Sequence, residues 1–184
     1  MSRFNTIAIL FAAYVVVFLQ ATFNELRQVA GVQVDLLPGL IVYTAISGGG
    51  IITLTLAAVC GGLWFDSLSA NPMGTTMLPL FIIGLFLQRH RELILRDQPY
   101  AQVLMGMAAS ALAPLGSLLL LINTEMKPLL GWFSIWQWTV MSVLGGLMTP
   151  VWFWLFDVLG RVLNYGPAGE IGFGHEMEIK RGRR

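Results

Sequence analysis

Long stretches of this chain carry no charged residue at all: residues 7–23, 51–65, 75–87, 100–122 and 132–156. Such runs cannot form helices with one face in water. A helix of about 20 apolar residues does, however, cross the ~30 Å hydrocarbon core of a bilayer. Composition agrees, with 56% hydrophobic and 11% charged residues in 184. The expected fold class is an all-α integral membrane protein, with about six transmembrane helices in one bundle. Residues 1–165 form this membrane domain, and residues 166–184 are expected to be a short cytoplasmic tail.

The first run, 7–23, follows Arg3 and ends at Asn24-Glu25-Leu26-Arg27. It has the charge order of a signal peptide but no small-x-small cleavage site before Asn24, so it reads as a retained first span. The second candidate, 36–46, reaches only about half of the core. Extending it back to residue 29 takes in Asp35 and Pro38, which predicts a broken or interfacial entry. Asp35 would then lie near a helix start, where an acid suits the positive end of the dipole. Ser47-Gly48-Gly49-Gly50 predicts a tight turn using positive backbone angles. Residues 51–65 and 75–87 are spans three and four, joined by Asn71-Pro72-Met73-Gly74, with Pro79 in the first turns of span four. Residues 100–122 are span five. Residues 132–163 are span six, with a kink expected at Pro150 and an exit near Asp157.

Orientation follows from the cations. With the N-terminus inside, nine lysines and arginines fall on the cytoplasmic side, against Arg27 and Lys127 outside. Both termini are then cytoplasmic. Trp132, Trp136 and Trp138, with Trp64 beside them, form an outer aromatic belt, and the turn from Asp66 to Gly74 faces outward.

Asp66 stands between two uncharged runs and is the leading site candidate. It either caps the following turn through Ser67, Ser69 or Asn71, or serves a partner, and the two roles are compatible. Asp157 and Arg161, four apart, are expected to neutralise each other at the membrane exit. Gly106, Ala109, Ser110, Ala113 and Gly116 give span five a small-residue face for close helix contact. Gly145-Gly146 and Gly61-Gly62 are candidate receivers, within the monomer or between subunits. Cys60 reads as a packing residue. Arg89-His90-Arg91 begins a basic loop suited to anionic lipid. The tail, acidic and then basic, suggests disorder or a peripheral contact, and nucleic-acid binding is not expected.

No catalysis is expected. The histidines, His90 and His175, lie away from any apolar run, so no serine triad assembles. Asp66 and Asp157 would sit at opposite membrane faces, too far apart to share a proton. No metal cluster or phosphate loop is present in the sequence, and no cofactor is expected.

Leu37-Pro38 opening the second span, a glycine-rich third span ending Gly61-Gly62-Leu63-Trp64-Phe65-Asp66, and then Ser67 to Thr75 with Pro72 and Gly74, together resemble the bacterial rod shape-determining protein MreD family. The likeness covers roughly residues 7–163. It implies a non-enzymatic scaffold of the cell-elongation machinery in the bacterial cytoplasmic membrane, binding MreC and linking MreB filaments to peptidoglycan synthases. It also implies partner-binding roles for Asp66, Pro72 and Gly74, with Asp35 and Pro38 as further candidates. The membrane fold implied is similar to the substrate-binding subunits of energy-coupling-factor transporters. The alternative is therefore a small-solute-binding transporter subunit, for which the apolar runs offer few polar groups beyond Asn123, Gln137 and the threonines.

Overall fold

The computed structural model describes residues 3–22, 35–47, 50–69, 72–91, 98–123 and 131–163. These residues form six helices: α1 (Arg3–Thr22), α2 (Leu37–Ile46), α3 (Ile51–Leu68), α4 (Met77–Arg89), α5 (Pro99–Asn123) and α6 (Trp132–Leu163). The protein is all-helical, and α1, α3, α5 and α6 are long and apolar enough to cross a membrane. Exposed leucines, isoleucines and aromatics cover their outer faces, as on α1 at Ile7, Phe11, Tyr14 and Phe18. Spacings of three and four put these four side chains on one ridge. A surface of this kind matches lipid rather than water.

The two shorter helices differ in their surroundings. α4, with 13 residues, runs antiparallel to α3 and brings Gly84 against Leu54. α2, with 10 residues, has every one of them buried. It touches all five other helices. At 1.5 Å per residue it is only ~15 Å long, so it fills half a membrane's depth at the axis of the bundle. Asp35 and Leu36 are non-helical and the helix starts buried at Leu37, so Asp35 stands beside a helix start as expected. Residues 23–34, which would contain the broken or interfacial entry, lie outside the described residues. Pro38 sits in the first turn, where its missing amide breaks no helical bond.

Tyr43 on α2 anchors the lower core, stacking on Phe156 at 4.4 Å between ring centroids and meeting Phe153 edge-on at 5.1 Å. α1 runs parallel to α3, pairing Thr6 with Thr53 by a 2.9 Å hydrogen bond and Tyr14 with Trp64 edge-on. Connected helices thus alternate in direction, and the ends fall into two groups. Arg89, Arg91 and Arg161, together with the start of α1 at Arg3, belong to one end. Asp66 and the tryptophans that open α6 belong to the other.

Small residues set the helix spacing. Gly106, Ala109, Ser110 and Ala113 form the buried face of α5. Side chains added at Gly106, Gly145 or Gly146 would overlap Thr149, Ser110 or Met107, so α5 and α6 pack at near-backbone contact inside the monomer. Gly61-Gly62 does not receive α5, contrary to one expectation. Gly61 faces Leu37 and Ala13, and a Cβ on Gly62 would lie 2.5 Å from Met77 Cα. Two other details depart from the sequence reading. Gly50 has an ordinary φ of −58°, with 48–49 outside the described residues, and α5 runs through Pro114, which the sequence reading passed over. α6 is continuous through Pro150. The tail lies outside the described residues.

Gly62→Ala should lower thermal stability in detergent by about 1–3 kcal/mol, because Met77 backbone cannot rotate away. Gly50→Ala, with nothing within 4 Å, should be close to neutral. Tryptophan-fluorescence melting of both variants checks the contrast.

Candidate functional site

The predicted site residues separate into two groups. Asp66, Pro72 and Gly74 come together at the turn between α3 and α4, while Asp35 and Pro38 lie at the head of α2 in the bundle interior.

At the turn, Pro72 C=O accepts from Thr75 N–H at 3.3 Å and from the Thr75 hydroxyl at 2.6 Å. Gly74, third in this four-residue turn, has φ +93°, a backbone angle that glycine adopts without strain. The turn aims two amides back at the end of α3. Asp66 Oδ2 accepts from Gly74 N–H at 2.8 Å and from Thr76 N–H at 3.1 Å. Asp66 is 1% exposed. Its carboxylate therefore sits at the N-terminus of α4, where unpaired amides and the helix dipole stabilise negative charge. The capping role expected for Asp66 is present, but its partners are main-chain amides. Ser69 Oγ donates to the Asp66 carbonyl and Ser67 Oγ to the Trp64 carbonyl, and Asn71 lies outside the described residues. Among its described residues the turn exposes Ser67, Leu68 and Met73, the last 76% exposed. Thr75 C=O also receives the Ser117 hydroxyl, tying the turn to α5.

The second group is deeper. Asp35 is buried, and its Oδ1 accepts from Leu37 N–H at 3.0 Å, an Asx-type turn that opens α2. Its carbonyl oxygen faces Gly145. Gly145 is the fourteenth residue of α6, ~20 Å from that helix's start, so Asp35 lies at mid-depth. The Gln20 side chain stands beside the Asp35 carboxyl. Ser110, 2% exposed, lies over Gly145 with its hydroxyl unpartnered. One turn further along α2, Gly39 faces Thr149 and the indole of Trp152, whose Nε1 is buried without an acceptor.

This grouping was not anticipated. Asn123 and Gln137, the polar core residues expected from sequence, lie elsewhere: Asn123 is exposed and Gln137 is only half-buried, near Met141. Gln20 and Ser110 are single polar residues inside apolar runs, and only Asp35 carried a readable signal. Asp157 and Arg161 lie at the opposite end from Asp66, where the Arg161 guanidinium donates to the Asp157 carbonyl at 3.3 Å. Among the described residues no three histidine, cysteine, aspartate or glutamate side chains cluster as metal ligands.

No known family model, characterised protein or solved structure matches this chain.

Asp66→Ala should lower stability by about 1–3 kcal/mol by leaving two buried amides without their acceptor. Asp66→Asn should recover part of that loss. Gly74→Ala should cost about 1–2 kcal/mol through its left-handed angle alone. Thermal unfolding of the three variants gives the ranking.

Proposed function

We propose that the protein is a non-enzymatic membrane scaffold of the bacterial cell-elongation machinery, binding MreC and linking cytoplasmic MreB to peptidoglycan synthases. The observation that carries this reading is the Asp66 turn. A buried carboxylate holds Gly74 and Thr76 at the start of α4, and Leu68 and Met73 on either side are exposed apolar residues. Exposed apolar residues beside a fixed turn suit a protein partner, since little ordering is required when the partner docks. The resemblance of residues 61–75 to the MreD pattern supplies the identity of that partner. Asp66 itself is buried, so it acts by shaping the turn rather than by touching MreC.

In this reading the protein lies in the bacterial cytoplasmic membrane with both termini inside. The arginines gathered at the Arg89 end support that orientation, in which anionic lipid would meet the inner face and the Asp66 turn would lie outside. A second reading, a small-solute-binding transporter subunit, is favoured by one observation: polar side chains lie in the bundle interior at the head of α2, with Gln20 beside the buried Asp35 carboxyl and the Ser110 hydroxyl over Gly145.

Affinity purification from native membranes in mild detergent separates the two. The scaffold reading expects MreC and elongation synthases in the eluate; paired ATPases with a coupling subunit would replace it by the transporter reading. Leu68→Asp and Met73→Asp should reduce MreC recovery several-fold and widen cells while leaving the melting temperature unchanged. Unchanged recovery and cell width in these variants and in Asp66→Ala and Pro72→Ala would remove the turn from the interface.

A further inference from the structure

Thr44, Thr55, Thr139 and Thr149 each donate their hydroxyl to the carbonyl four residues back in their own helix. Ser117 on α5 does not. Its hydroxyl leaves α5 and donates to the Thr75 carbonyl at 3.2 Å. The cause is a gap at the start of α4. The Gly74 carbonyl accepts from Leu78 N–H and the Thr76 carbonyl from Leu80 N–H, so the helical bonding pattern already runs through residues 74–80. Between these two bonds, the donor to the Thr75 carbonyl would be residue 79, and Pro79 has no N–H. Thr75 is buried, where a carbonyl left without a donor is costly. Ser117 supplies the donor that Pro79 lacks.

The packing matches this hydrogen bond. A Cβ added at Gly116 would stand 2.8 Å from Pro79 Cβ, so the proline ring rests on α5 at the residue before Ser117. On the other side, a Cβ at Gly62 would stand 2.5 Å from Met77 Cα. The start of α4 is therefore seated between two glycines, one on α3 and one on α5. Its polar groups divide in the same way. Asp66 on α3 accepts from Gly74 and Thr76 N–H, while Ser117 on α5 donates to the carbonyl of the residue between them. Three consecutive residues, 74–76, are thus held from two helices at once.

We propose that Ser117 is a positioning residue for the Asp66 turn: by completing the bond that Pro79 cannot make, it fixes the turn to α5, so that α5 sets where the turn stands. Asp66 gives the turn its shape, and Ser117 gives it its place. The positioning is independent of the partner's identity; its consequence for recognition rests on the reading of the turn as the MreC-binding surface.

The experiment is electron paramagnetic resonance of the full-length protein in phosphatidylcholine vesicles, with Cys60→Ala and a nitroxide attached at Met73→Cys. Ser117→Ala should raise the mobile component of the spectrum several-fold. Ser117→Thr keeps the hydroxyl and should leave the spectrum unchanged. Pro79→Ala returns an amide to position 79, so combining it with Ser117→Ala should restore the immobile spectrum, a coupling that a double-mutant cycle isolates. This double variant also carries the test should Ser117→Ala alone fail to fold, because the proposal expects it to fold with the turn held. A merely structural Ser117 predicts a lower melting temperature with an unchanged spectrum at Met73, and that result would overturn the proposal. So would a mobile turn that persists when Pro79→Ala is added. Recovery of MreC with Ser117→Ala separates the two readings: a mobile turn with undiminished recovery supports the positioning role and removes the turn from the MreC interface, whereas an unchanged spectrum sinks the positioning role whatever the recovery.

Discussion

A helix that stops half-way through a membrane must satisfy its own first amides without water, and the rest of this bundle is arranged around that requirement. α2 meets it in two ways. Proline in the first turn removes one donor, and the Asp35 carboxylate accepts from the Leu37 amide. What remains is to keep lipid and water away from ten buried residues, and the other five helices do so from all sides. The small faces of α5 and α6 let those two helices close together beside Asp35 and Gly39, while Gly61 lets Leu37 seat against α3.

The same device appears twice. Asp35 and Asp66 each stand at the N-terminus of a short helix and each accepts main-chain amides, but their settings differ. Asp66 lies at the end of the bundle, bridges two helices and is satisfied by a turn that glycine makes possible. Asp35 lies deeper, at the head of the enclosed α2. The first geometry shapes a turn at the end of the bundle, and the second opens a buried helix.

Much of this was legible from sequence for a physical reason: in a membrane, hydropathy and charge grouping act over whole helices. The limits of α6 and the presence of Pro79 early in α4 agree with the sequence reading, as does the close packing of Gly106 and Ser110 against Gly145-Gly146. The capping role of Asp66 was legible too, though not its partners, because main-chain amides leave no residue signature. The start of α2 beside Asp35 was legible as well, whereas its enclosure by five helices is a tertiary property that no local pattern encodes. Ser110 was legible as part of a packing face, but the place of Gln20 beside Asp35 was not, because one amide in an apolar run looks the same whether it faces lipid, a helix carbonyl or another polar side chain.

The enclosed, half-length α2 is the central claim about this bundle, and thiol accessibility tests it most directly. In a Cys60→Ala background, single cysteines at Leu37, Leu40, Val42 and Ile46 would be exposed in native membranes to a small water-borne maleimide from either side. The account predicts no labelling at any of the four until the protein is denatured. Labelling at Leu37 and Leu40 in the folded protein would place the helix at a water interface and contradict the architecture described.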